Sequence, residues 1–410
     1  MASIDLITTG MNNKARAESV PEGKARNAVN VQFDDAGKII IPRQGSTLQY
    51  SGSDIHSVLE SEVATVFVEA GVLKRLDGIN LATAYLPGVG KNHVSYANKT
   101  IAGEVYFAND LVRGKFDKNG AYPWSTPRPT HQPDCAAGSF GGMYAGDYRV
   151  AITWIGGEES GTGAGRRVTV PDGGGIRVYN LPVTPAGVTL VAVYVSSTNS
   201  KDMYLYGEYP ANTAEVYINR LTSAGAIPTI ALETQFCYPP TPIDLIVLHY
   251  GRIYYPRGGY LYWTIPGRYS LQRANSFWDF GKDIQTVVSC PGVLYIGTSE
   301  TLYKVTNIDG EGGALVEELQ DCGTTKGSEC YDPDGVSAYF MSDRGFIKAT
   351  PEGLTELSYA DVAIPHFDIG TMTVTEYDGL KYLIGTFQKG VQNPLANKDY
   401  NTAELARGSL

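Results

Sequence analysis

The chain has 410 residues, 43% of them hydrophobic, is rich in Gly (47), Pro (22) and Tyr (28), and carries a formal net charge of -10. That length accommodates two or three domains, or one large ring of repeats with an insert. The acidic balance argues against a surface that grips nucleic acid, and turn-rich composition with little helical periodicity points to an all-β protein.

The opening MASIDLITTGMNN has neither a basic nor a long apolar region, and no later segment offers about 18 uninterrupted apolar residues. A soluble protein made in the cytoplasm, without a membrane segment, is expected. Residues 1–27 read as a polar N-terminal arm. From residue 28 strand pairs follow. Ala28 to Asp34 alternates, Asp35-Ala36-Gly37 turns and Lys38 to Pro42 returns. Residues 55–76 and 92–107 repeat this scheme, so 28–130 is read as the first part of a β-propeller.

Four prolines in YPWSTPRPTHQPDC, residues 122–135, mark a boundary. The rhythm then changes. Residues 131–212 hold short strands at roughly ten-residue spacing. Among them are Gly-x-Tyr-x-Val-x-Ile-x-Trp from Gly146, a Glu-Glu-Ser loop, and Val-x-Val-Tyr-x-Ser. This pattern resembles a fibronectin type III-like or Ig-like sandwich. From 213 to 390 the propeller rhythm resumes, beginning with TAEVYIN as a strand returning from the insert.

Between Leu248 and Asn307 one unit of strand, Gly turn, Tyr-rich strand occurs twice. Arg252 to Tyr255 precedes Gly258-Gly259 and Tyr260 to Thr264, and Gly292 to Gly297 precedes Thr301 to Val305. Two further strand–turn–strand stretches follow, and residues 391–410 read as a polar C-terminal tail. The expected fold class is all-β, a β-propeller-like ring of antiparallel blades interrupted by a small fibronectin type III/Ig-like β-sandwich.

Motifs for chemistry are sparse. Five cysteines without Cys-x-x-Cys indicate neither a disulfide framework nor a zinc site, although Cys322 and Cys330 could meet across a hairpin. Pro87-Gly-Val-Gly-Lys-Asn92 lacks the spacing of a phosphate loop and reads as a hairpin turn. Gly161-x-Gly163-x-Gly165 reads as a loop needing positive φ. Asp332-Pro-Asp334-Gly335 and Asp309-Gly-Glu311 read as turns before calcium loops. The five histidines have no ligand spacing. No catalytic residue, metal or cofactor is therefore predicted, and the protein is not expected to be an enzyme. Arg252, Arg257, Arg268 and Arg273 alternate with Tyr and Trp, a mixture found in protein interfaces and in single-strand stacking platforms. Blade packing is the first reading of these aromatics. Arg252, Arg257, Tyr260, Arg268, Tyr269 and Arg273 are the interface candidates.

Read together, the blocks resemble a known family. They are Gly10-Met-Asn-Asn, Gly23-Lys-Ala-Arg-Asn-Ala-Val-Asn-Val, Asp35-Ala-Gly-Lys with Arg43 and Gly45, Gly251-Arg-Ile-Tyr-Tyr, Leu261-Tyr-Trp-Thr, and Val293-Leu-Tyr-Ile-Gly-Thr with Leu302-Tyr. The resemblance is to the tail nozzle or hub proteins, also called tail accessory or stabilisation proteins, of short-tailed bacteriophages. It implies a structural virion protein whose homo-oligomeric ring, usually a hexamer, extends the DNA ejection channel below the portal and adaptor and anchors tail fibres or spikes. Double-stranded DNA would pass transiently without specific binding, and localisation would be the virion tail. The alternative is a carbohydrate-binding or glycan-cleaving β-propeller, for which a fibronectin-like module is also a common companion.

Overall fold

The computed structural model describes residues 48–388 apart from 99, 102, 221–228, 242, 309–312, 358–366 and 378–379, together with residue 19 and the paired strands Val31–Phe33 and Ile40–Pro42. The expected arm, the tail and Asp309-Gly-Glu311 fall outside these residues or nearly so. Among the described residues every named element is a β-strand, and no helix is long and apolar enough to cross a membrane.

Alternating and continuous apolar runs become five four-stranded antiparallel sheets, four of them meanders of neighbours in sequence and one, the third below, skipping the short strand Gln272–Arg273. The first joins Ile55–Leu59, Val66–Glu69, Val72–Gly78 and Leu81–Leu86. Ser95–Ala97, Val105–Ala108, Arg113–Phe116 and Ala121–Pro123 make the second. The third contains Val247–His249, Arg252–Arg257, Tyr260–Trp263 and Phe277–Asp279. Ile284–Cys290, Val293–Thr298, Leu302–Thr306 and Leu315–Gln320 form the fourth. In the fifth are Cys330–Tyr331, Ala338–Ser342, Gly345–Ala349 and Leu354–Glu356. A hairpin of Ile369–Tyr377 and Leu380–Gln388 follows. Both copies of the unit read in the sequence are thus hairpins of the third and fourth sheets.

Turn chemistry sets the register. Ala70-Gly71 and Tyr250-Gly251 both hold two successive residues at positive φ and close the two-residue hairpins Glu69↔Val72 and His249↔Arg252. Such loops match the right-handed twist of the flanking strands. By contrast, Pro87–Asn92 is not a hairpin turn but the link from the last strand of the first sheet to the second, with Val89 fully buried.

Each sheet packs on the next. Val66, Val68 and Leu73 meet Val105, Phe107 and Phe116; Tyr106 and Trp124 meet Ile253, Tyr255 and Tyr269; Leu261 and Tyr254 meet Val287 and Leu294. Val288 and Tyr295 meet Phe340 and Ile347, and Tyr339 and Met341 meet Leu383 and Phe387. Each fully buried side chain of this kind stabilises by about 1.5–3 kcal/mol. The outcome is a propeller-like all-β architecture whose sheets are blades.

The insert is a two-sheet sandwich. One sheet orders Asp134–Met143, Gly174–Tyr179 and Val216–Ile218; the other centres on Gly146–Gly156, Leu190–Ser196 and Met203–Pro210, with Glu158–Glu159 and Arg166–Val170. Tyr148, Val150, Ile152 and Trp154, alternate residues of one strand, face Ile176, Val178, Val216 and Ile218 across the core. Because Val216–Ile218 pairs with Gly174–Tyr179, the sandwich extends beyond the expected boundary at 212. The sequence places this strand after the insert, as one returning from it, yet its partner lies inside the insert.

Candidate functional site

The six interface candidates do not form one site. Arg252 is half-buried within its strand, and Arg257 is exposed beside the Gly258 turn. Tyr260 is 41% exposed and packs edge-on against the equally exposed Phe277 on the outer strand of the third blade. Tyr269 is buried, its ring tilted against that of Tyr106 and its carbonyl accepting a hydrogen bond from Trp124 Nε1. A residue so placed is blade packing and cannot contact a second copy, which removes it from the interface candidates. Arg268 turns toward the sandwich, 3.5 Å from Glu159 and 3.2 Å from Glu233. Arg273 is exposed, on the short strand Gln272–Arg273 that pairs with Cys237–Tyr238.

A seam of charge joins insert and propeller. Lys115 Nζ in the second blade lies 2.9 Å from Glu104 and 2.8 Å from Glu158 of the sandwich. Glu158 also accepts hydrogen bonds from Tyr106 and from Ser270 of the third blade segment. Burial works to raise the Glu158 carboxyl, but the bonds from Lys115 and Ser270 outweigh it and hold the group below its ordinary value. Next to it, Glu159 accepts from Thr153 and Tyr194 and faces Arg268. On the sandwich side, Leu205 N and Leu232 N exchange bonds with Ile230 and Met203 carbonyls, so the return segment lies along the outer strand.

A second cluster gathers where the blades' leading strands begin. His56 of the first blade, His93 before the second, Asp244 before the third, Lys326 before the fifth and Gly370 of the last hairpin meet there. Lys326 bonds Asp244 through its ammonium, and its carbonyl accepts the Gly370 amide. Gly327 lies beside His93 and the Gly370 carbonyl. The leading ends therefore surround a common axis, as propeller blades do. His93 is pushed down to about 4 by burial and by the nearby charges of His56 and Lys326. Glu329, with its Oε2 enclosed and lacking a hydrogen-bond partner, is pushed up to about 8 by burial, against the pull of its own amide and Lys326. Tyr331 is 44% exposed, yet desolvation raises its phenol.

Ser57 is held at φ 53, and its hydroxyl accepts the Val94 amide at 2.8 Å while meeting His56 Nδ1 at 2.9 Å and His93 Nδ1 at 3.5 Å. Asp54, which could orient His56, is exposed and paired with Lys91. Among the described residues no group of three His, Cys, Asp or Glu is placed to hold a metal. Asp332-Pro-Asp334-Gly335 is a turn: Asp334 accepts the amides of Val336 and Ser337, and Asp332 accepts from Tyr339 and Lys381. Cys322 and Cys330 are free thiols in different core clusters. Gly161, Gly163 and Gly165 are absent from the positive-φ positions. Gly161 is required instead by close packing, since a Cβ there would lie 2.1 Å from the Cys237 carbonyl oxygen.

None of the seam or axial contacts was legible as motif, because their members come from separate blades. No family model matches the chain, and no curated protein matches it. Among solved structures it is similar to virginiamycin B lyase from Staphylococcus aureus, at 12% identity and TM-score 0.34 over 83% of this chain and 97% of that one. It is also similar to Kluyveromyces lactis Hsv2, at 8% identity and TM-score 0.30 over 83% and 89%. The extracellular domain of the one-component system BT4673 from B. thetaiotaomicron gives 11% identity and TM-score 0.32 over 82% of this chain. This chain spans 38% of that domain's length. At these values the similarities carry no functional argument, and the fold rests on the strand pairing itself.

Proposed function

We propose that the chain is a structural virion protein, one protomer of the tail nozzle or hub ring of a short-tailed phage. The sequence blocks between Gly10 and Leu302 suggest the family, and the observation that carries a scaffold role is the seam. Lys115, Glu104, Glu158 and Ser270 lock an appended sandwich onto two blades, which suits a module that holds fibres or spikes under load. The two outermost strands of the third blade offer Tyr260 and Phe277 with Arg257 nearby, a composition enriched in protein interfaces. In this role they meet the neighbouring protomer. Net acidity suits a channel wall along which DNA slides.

Native mass spectrometry with particle imaging tests this. The expected result is a closed ring, for six copies of the 44.3 kDa chain about 266 kDa, and the same ring in the tails of virions. A strict monomer that cleaves glycans would sink the proposal in favour of the carbohydrate-active alternative.

A further inference from the structure

A cleft of about 700 Å3 opens between the return segment of the sandwich and the third blade. Its walls include Leu232, Gln235, Phe236, Arg268, Arg273 and Asn275. We propose that this cleft binds a carboxylate-bearing saccharide. Its volume is that of ordinary ligand sites, which combine apolar lining with a few convergent polar groups.

Phe236 makes the first case for it. The residue sits at φ 57 and is 51% exposed, a strained conformation for a bulky side chain that persists only when its surroundings enforce it. They do so here. Its amide donates to the Thr162 carbonyl at 2.8 Å, and the next residue, Cys237, is fully buried with its amide on Thr234. The ring is thereby held at the cleft, where its face can receive the C–H face of a sugar. The amide side chains of Gln235 and Asn275 line the same space and can donate to and accept from vicinal hydroxyls.

The two guanidinium groups specify the charge. Arg273 is exposed, its backbone fixed by pairing with Cys237. Arg268 is shared by two acids, Glu159 of the sandwich at 3.5 Å and Glu233 at 3.2 Å, and the Glu233 side chain is 69% exposed. An exposed pair of this kind contributes little, so the carboxylate of Glu233 occupies a place that a ligand carboxylate can take over. The proposal is independent of ring assembly.

Isothermal titration of the full chain with trigalacturonate and with a glucuronate-containing tetrasaccharide tests it, the neutral methyl ester of trigalacturonate serving as control. The acidic probes should saturate at millimolar concentrations or below, and the ester should bind at least tenfold more weakly. Arg273→Ala should weaken acidic binding by about tenfold or more, the usual effect of losing a charge-assisted hydrogen bond. Glu233→Gln should tighten it by removing the resident carboxylate. Phe236→Gly should weaken it while leaving the melting temperature unchanged or raised, because glycine adopts that φ without strain. Absence of saturable binding by both acidic probes, equal binding of the ester, or binding untouched by Arg273→Ala would each overturn the proposal. So would saturation by poly-glutamate alone, which would assign the cleft to a protein partner.

Discussion

Lys115 Nζ lies 2.8 Å from Glu158 Oε1 and joins a blade to the sandwich across 43 residues of sequence. Only 14% of the lysine side chain and 32% of the glutamate side chain are exposed. Removing one partner leaves the other charge desolvated, so Lys115→Met should destabilise by about 2 kcal/mol, discounted from the fully buried case for the remaining solvent. Paired with Glu158→Gln, the loss should be smaller than the sum of the two single losses. Urea melts of the four proteins measure that coupling.

The same pair sets a dependence on pH. Glu158 is held below its ordinary value, so its stabilisation is present above the unfolded carboxyl value of 4.5 and fades as pH falls through the lower folded value. Burial opposes the charge on Lys115, yet its two carboxylates hold it above 10.5, so its contribution is present below that pH and fades as pH rises through the folded value. Glu158→Gln should flatten the acid limb of a plot of melting temperature against pH.

Glu329 acts with the opposite sign. Its folded value near 8 exceeds the unfolded 4.5, so the folded chain binds more protons between those limits and stability falls as pH rises across them. Glu329→Gln should leave stability unchanged below about pH 4.5 and raise it increasingly toward pH 8. His93, pushed down to about 4 from 6.5, destabilises instead as pH falls through that window. Thermal melts from acid to mild alkali separate the two, and a Glu329→Gln curve parallel to that of the parent would contradict the assignment.

Tyr295 is 1% exposed in the fourth-blade core and donates to the Thr350 carbonyl at 2.8 Å. Tyr295→Ala should destabilise by about 3–5 kcal/mol, and Tyr295→Phe by about 1 kcal/mol through the lost hydrogen bond. Tyr262, half-buried between Tyr255 and Phe277, should lose less on truncation than Tyr295. Denaturant midpoints at fixed slope report the ranking.

Tyr260→Glu places a charge on the exposed rim of the third blade. If that rim is the protomer contact, the variant should keep its melting temperature but fail to form the ring in light scattering. Tyr269→Ala should unfold the chain instead, since its ring packs on Tyr106 in the core between the second and third blades.

Blades were legible in the sequence because their strands are neighbours along the chain, so a local alternation with Gly turns between Arg252 and Val305 already contains the pairing. The inward row Tyr148, Val150, Ile152 and Trp154 gave the sandwich in the same way. Val216–Ile218 was misplaced because its partner strand lies about forty residues upstream, beyond any hairpin signal. Likewise, Lys115, Glu158 and Ser270 each look like an ordinary surface residue until three separate segments meet. The regular spacing of Arg and Tyr misled for a related reason: Tyr269 and Arg268 are adjacent in sequence, yet one enters a core and the other reaches an acid of the insert.

Val178 is the strand position at which the first and last strands of the sandwich begin side by side, Cys135 pairing with it on one side and Val216 on the other. The chain then returns along Met203–Pro210 until the ring of Tyr238 lies 4.5 Å from the guanidinium of Arg128, so the segments that enter and leave the insert are neighbours. Ends that close make the insert an exchangeable cassette. It can be cut out and bridged by a few residues, or swapped for another fold with neighbouring termini, while the blades on both sides keep their register.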